Sequence, residues 1–94
     1  MKLRYTPRAK LDIAEIHDYI AQENPQAARR VILLIRKAAE MLPQNPQIGR
    51  VGRIAGTREL TVGNFPFMLA YRIESGEIQV LAVVHTARLW QENF

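Results

Sequence analysis

Residues 83–90 read VVHTARLW, a β-branched run that turns into His85, Thr86, Arg88 and Trp90 within six positions. Metal-free cleavage of RNA would need a base for the 2′-hydroxyl, an acid for the leaving oxygen, and cations around the phosphorane. The sequence offers His85 as acid or base, with Arg58, Arg72 and Arg88 as phosphate clamps. The same stretch has a plainer reading. A strand ends at His85, whose ring packs and gives one N–H to a carbonyl, while Trp90 and Phe94 anchor a tail or touch a target. Strand parity groups His85 with Leu81 and Val83, and Arg72 with Met68 and Ala70. It does not say whether the two groups share a face. Tyr71 keeps parity with Phe67 and Leu69 and reads as core. With two histidines, His17 and His85, and no cysteine, no metal site is expected. His17 sits among charged neighbours and should face solvent. The glycine-rich GRVGRIAG is not followed by Gly-Lys-Ser/Thr, so no phosphate-loop cofactor is expected either.

The elements that must position these residues can be read along the chain. KLRY (2–5) alternates as a short first strand. Thr6 then stands at a helix N-cap with Pro7 at the first helical position. Ala9, Ile13, Ile16 and Ile20 make one apolar stripe on that helix. Asn24 and Pro25 repeat the device for a second helix, whose seam is Ala28, Val31, Ile32, Ile35, Ala39 and Leu42, with Pro43 as the stop. The short join predicts an antiparallel helical hairpin. PQNPQIGRVGRIAG reads as a flexible loop. Three strands follow: TRELTV, with Leu60 and Val62 on one face, FMLAYRIE, and EIQVLAVVH. The last two are joined by a tight turn at Ser75-Gly76. The last strand is apolar on both faces and suits an interior position. The order β-α-α-β-β-β predicts one α+β domain over residues 1–94, a helical hairpin on a mostly antiparallel sheet.

Ninety-four residues are too few for two cores, and a net charge of +4 with 48% hydrophobic residues describes an ordinary folded domain. The chain shows neither a secretion signal nor a membrane span, so the cytoplasm is the expected compartment. All three lysines precede residue 43, and between Arg50 and Arg72 four arginines face one acid, Glu59. That field suits nucleic acid or an acidic protein partner, as well as simple solubility. The second helix carries more apolar surface than one sheet would cover. Ala27, Leu34, Ala38 and Met41 form a stripe beside its seam, and Leu33, like Leu11 on the first helix, falls in the polar sector. The second stripe either packs on the first helix or, with Leu11, Leu33, Leu34 and Met41, forms a docking groove for an amphipathic helix.

AKLDIAEIHDYIAQENPQAARRVILLIRKAAEML, NPQIGR, TREL, FPFMLAYRI and IQVLAVVHTARLW together resemble the ParE branch of the ParE/RelE toxin superfamily, in order and spacing from about Pro7 to Trp90. The resemblance implies a growth-inhibiting, plasmid-stabilising toxin of a type II toxin–antitoxin module. Its cognate antitoxin, ParD-like or similar, would lay a helix on the hairpin and often a strand on the sheet. ParE-like members inhibit DNA gyrase and block replication, whereas RelE-like members cut mRNA on the ribosome. Relative to those nucleases this chain has no lysine after residue 37 and no tyrosine near its C-terminus. The leading expectation is therefore a non-enzymatic gyrase binder, with antitoxin contacts at Leu11, Leu33, Leu34 and Met41 and target contacts at Arg50, Arg53, Arg88 and Trp90. The alternatives are an mRNA endonuclease using His85 and the arginines, and a toxin-like domain kept only for binding.

Overall fold

A computed structural model of the chain describes residues 1–86. The elements run β1 (Lys2–Tyr5), α1 (Pro7–Ala21), α2 (Pro25–Glu40), β2 (Arg50–Val51), β3 (Arg58–Thr61), β4 (Phe67–Glu74) and β5 (Glu77–His85). They build one five-stranded sheet in the order β1-β5-β4-β3-β2, in which β1 runs parallel to β5 and the other pairs are antiparallel. This is the expected α+β architecture, with β5 in the interior.

Both helices start where their caps dictate. The Thr6 hydroxyl accepts from the Ala9 amide at 3.2 Å and the Asn24 side-chain oxygen accepts from the Ala27 amide at 3.1 Å, each with a proline at the first helical position. The α2 seam buries Ala28, Val31, Ile35 and Ala39, and Leu42 just beyond the helix is also buried, while Ile32 is half-covered. Val31, Ile35 and Ala39 pack with Ala9, Val62, Phe67, Leu69, Val80 and Val83 into the main core. A smaller cluster of Leu42, Tyr71 and Ile78 closes the other end. The β4–β5 turn places Ser75 and Gly76 at φ of 52° and 75°, the left-handed pair that matches the twist of a two-residue hairpin.

Two features depart from the expected pattern. The first is a strand inside the segment read as flexible. Arg50 pairs with Glu59 and Val51 with Arg58, adding β2 as an edge strand. Its conformation is fixed from the core: buried Tyr71 accepts the Gly49 amide at 2.9 Å and donates to the Pro46 carbonyl at 2.8 Å. A side chain at position 49 would lie 2.7 Å from the Tyr71 ring and hydroxyl, so the approach needs glycine. The second is a bulge. Ala70 pairs with Ala82 but Tyr71 pairs with Val80, which leaves Leu81 as the extra residue of β5.

The bulge corrects the parity read from the sequence. Leu81 drops out of the alternation, so Ile78, Val80, Val83 and His85 share the helix-covered face with Phe67, Leu69, Tyr71 and Ile73. Met68, Ala70, Arg72, Gln79, Ala82 and Val84 lie on the other. Thr6, the cap of α1, and Asp12 within it bond backbone groups around the irregularity, where the Val80 carbonyl also accepts the Thr6 amide at 3.0 Å. The Thr6 hydroxyl reaches the Val80 and Leu81 carbonyls at 3.0 and 3.1 Å, and an Asp12 carboxylate oxygen accepts the Val83 amide at 3.0 Å.

Candidate functional site

The residues nominated for nuclease chemistry stand at three separate places. His85 closes β5 on the helix-covered face, its ring edge-on to Phe67 with centroids 5.3 Å apart and planes at 86°. It lines a groove of about 510 Å³ with Asp12, Glu15, Ile16, Tyr19 and Phe65. Arg58 lies near the far edge of the sheet, where its guanidinium donates to the Gly49 carbonyl at 2.8 Å. Arg72 is on the opposite face and is held by Gln79 at 2.7 Å and Glu74 at 2.9 Å. The bulge therefore separates His85 from Arg72 by the thickness of the sheet. Arg88, Trp90 and Phe94 lie outside the described residues. The carboxylates of this groove are Glu15 and Asp12, the latter paired with Arg8 at 3.1 Å.

A second site grows from the β2 segment. Glu59 has a side chain only 1% exposed. Its carboxylate accepts from the Arg50 guanidinium at 3.1–3.2 Å through one oxygen and from the Arg53 amide at 3.1 Å through the other. Burying a charge is costly unless it is paired and hydrogen-bonded, and here every contact serves the loop. The Gly52 amide adds a bond to the Thr57 carbonyl at 2.8 Å, and the Thr57 hydroxyl one to the Ile54 carbonyl at 2.6 Å. What this framework presents outward is Arg50 and Arg53, together with Ile48 and Val51, of which Val51 is 78% exposed. Sequence reasoning named the two arginines and noted Glu59 only as the lone acid among them, but missed Tyr71 as a loop anchor and the apolar pair. The role of Glu59 was the detectable one, because it is the lone acid in an arginine-rich stretch and sits in a strand.

The third place is the helical hairpin. Leu11, Leu33 and Met41 are about half exposed, whereas Leu34 and Ala38 pack against the core with Ile13 and Ile16. The second apolar stripe thus divides, its middle contributing to the interior and its end remaining at the surface. Where α1 and the end of α2 meet β1, Tyr5 lines a shallow groove with Lys10, Arg36 and Glu40. Burial raises the Tyr5 pKa above 10.0; nearby Glu40 raises it further and Arg36 opposes. His17 pairs with Asp18 at 3.2 Å and is half-exposed. Among the described residues no group of three or more His, Asp or Glu side chains could hold a metal ion.

The family model described as the ParE toxin of the type II toxin–antitoxin system parDE matches residues 3–90. The chain belongs to the ParE toxin family. This ParE-family chain is similar to the putative toxin Y4kP of Sinorhizobium fredii, at 38% identity over 97% of this chain and 94% of that protein. It is equally similar, at 38% identity over 90% of this chain and 94% of the relative, to toxin RelE2 of Caulobacter vibrioides. Among solved structures, the chromosomal ParDE system from P. aeruginosa superposes with a TM-score of 0.84 at 30% identity, covering 90% of this chain and 95% of that one. The RelBE2 toxin–antitoxin complex from Mycobacterium tuberculosis shares the fold, with a TM-score of 0.62 at 24% identity over 93% and 92% of the two chains. This ParE-family chain is thus a type II toxin of the ParE/RelE superfamily, a fold that both branches share. No helix among its described residues is long and apolar enough to cross a membrane.

Proposed function

We propose that this toxin acts by binding DNA gyrase in the cytoplasm and blocking replication, and that a ParD-like antitoxin neutralises it. The observation that carries the reading is the bulge at Leu81. It puts His85 on the helix-covered face, in a groove with two carboxylates, and leaves Arg72 on the other face with its guanidinium occupied. Proton transfer to a phosphodiester requires acid, base and cations around one reacting atom, and among the described residues His85, Arg58 and Arg72 do not converge. Binding, by contrast, needs a rigid surface of mixed character. The β2 segment supplies one with Arg50, Arg53, Ile48 and Val51, and Arg88 and Trp90 of the C-terminal segment complete the proposed gyrase contact. Leu11, Leu33, Leu34 and Met41 are the proposed antitoxin contacts on the hairpin; Leu34 would act from beneath, since it is partly covered.

The test is expression without antitoxin, with DNA supercoiling and translation followed in parallel. Loss of supercoiling with DNA-damage signalling and filamentous cells is expected before any fall in translation. The unchanged fold in His85→Ala should leave toxicity within about twofold. Early arrest of translation, message cleavage in the ribosome and its loss in His85→Ala would establish the nuclease instead. No growth defect with or without antitoxin would mark a domain retained for binding alone.

A further inference from the structure

The face of the sheet turned away from the helices holds a buried patch that its described neighbours only border. By register Glu59, Ala70 and Ala82 stand side by side across β3, β4 and β5, with Met68 next to Ala70 along the same face of β4. Glu59 and Met68 are 3% and 2% exposed and both alanines 0%. Neither apolar cluster beneath the helices includes them. An alanine methyl is short, and its neighbours on one face of a sheet stand about 5 Å away across strands and about 7 Å along them. Such a methyl meets solvent from above unless something lies over it. Among the described residues Arg50 reaches the patch, its guanidinium 3.7 Å from the Met68 sulfur, but it comes from the edge and its side chain is 63% exposed. Arg72 stands along another border, 45% exposed. A patch dry at its centre and wet at its rim has a cover.

The chain itself supplies the occupant. Residues 87–94 carry Ala87, Leu89, Trp90 and Phe94 against two charges, Arg88 and Glu92. Strand β5 delivers them at the right corner, since the Thr86 amide bonds the Pro66 carbonyl at 2.9 Å, beside the start of β4. A return within the sheet plane, along the edge of β5 beyond β1, is obstructed. There Asp12 holds the Val83 amide and the Thr6 hydroxyl holds the Leu81 carbonyl. A return across the face is open. Trp90 lies as many residues beyond Thr86 as Ala82 lies before it, a span of about 13 Å either way in extended chain. An indole also suits two methyls and a methionine sulfur, flat on the first and edge to the second. We infer that residues 87–94 fold back over this open face, Trp90 lying flat on the Ala70–Ala82 shelf. The segment then continues towards the cleft of about 640 Å³ beside Leu81 and Arg72. One face of the indole is buried on the shelf and the other stays outward beside Arg50. This deepens the target reading above, on which it rests for the partner alone: Trp90 and Arg50 form one rigid contact, and the same cover keeps water from the Arg50–Glu59 pair.

The chain has no cysteine and one tryptophan, so two probes are available without background. Trp90 emission of the full-length protein should be blue-shifted, and acrylamide should quench it about threefold less than in the urea-unfolded protein, since one ring face is covered. Ala82→Gln puts a longer side chain on the shelf and should bring quenching most of the way to the unfolded value, with far-ultraviolet dichroism unchanged. Position is read by the pair Leu81→Cys with Gln91→Cys, which leaves Trp90 in place and should close within a monomer under mild oxidation. The pair Tyr19→Cys with Gln91→Cys, at the His85 groove, should not close. Solvent-like emission indifferent to Ala82→Gln overturns the inference, and so does closure of the Tyr19 pair or a disulfide between two copies. The oxidised Leu81 pair should inhibit supercoiling within about twofold of its reduced form, because a preset surface needs no release. Inhibition that returns only on reduction means that the target meets a released segment, and overturns the joint contact of Trp90 and Arg50. If neither form inhibits gyrase, the gyrase reading fails, and the cross-link still decides where the segment sits.

Discussion

Single side chains carry unusual responsibility in this toxin, and Tyr71 is the clearest case. Its ring fills the smaller core cluster while its hydroxyl holds two backbone groups of the β2 segment. Tyr71→Phe keeps the packing but leaves the Gly49 amide without that acceptor. A loss of about 1–3 kcal/mol is expected, measured as a lower urea midpoint at unchanged m. Glu59 acts on the same segment from the other side of the sheet. Tyr5 offers a pH test. Because its folded pKa is raised, the folded state keeps the phenolic proton to higher pH than the unfolded chain does. The contribution is intact below pH 10 and disappears as pH rises through the folded value. Stability of the wild type should therefore fall more steeply above pH 10 than that of Tyr5→Phe, as followed by denaturant titration at stepped pH. The sequence showed Tyr71 to be core by parity, but nothing in a one-dimensional pattern tells where a hydroxyl points.

Among the elements, the helices were the most legible, because caps, prolines and 3.6-residue periodicity are local signals. Thr6-Pro7 and Asn24-Pro25 marked both starts, and the two long strands have the bounds read for them, Phe67 to Glu74 and Glu77 to His85, though only the first keeps its alternation throughout. The β2 strand and the Leu81 bulge escaped notice, since both depend on partners distant in sequence: Glu59 and Tyr71 for one, Thr6 and Asp12 for the other. Asp12 stands in for a strand at the edge of β5 that β1 is too short to cover. Asp12→Ala should accelerate hydrogen exchange of the Val83 amide markedly, with little change in β1. Thr6→Ala removes a cap and two bonds to the bulge, and should cost more than the roughly 1 kcal/mol of an ordinary cap.

At the scale of the whole molecule, three surfaces differ in character: an apolar and cationic hairpin face, a braced loop with Arg50 and Arg53, and a groove lined by acids and aromatics around His85. The surface was half legible. Charge counting and wheel geometry put Arg50, Arg53, Leu11, Leu33 and Met41 outside the core, where the structure has them exposed, but the relative positions of His85, Arg58 and Arg72 depended on register. A partner that binds only the folded toxin raises its stability by about 2.7 kcal/mol at a free concentration of one hundred times Kd. For a chain of this length, saturation with antitoxin should raise Tm by on the order of 10 °C or more, measured by calorimetry of toxin alone and in complex.

The extra residue in β5 has a bearing on how relatives are compared. An alignment that slips by a single position at Leu81 would match His85 to a neighbour pointing through the opposite side of the sheet, and would transfer a nuclease's acid or base to the wrong surface. Deleting Leu81 would perform the same rotation physically, swinging positions 82–85 half a turn and bringing the imidazole round towards the side that carries Arg72. One codon thus separates two orientations of the strand end, and homologues can be sorted by whether they carry it.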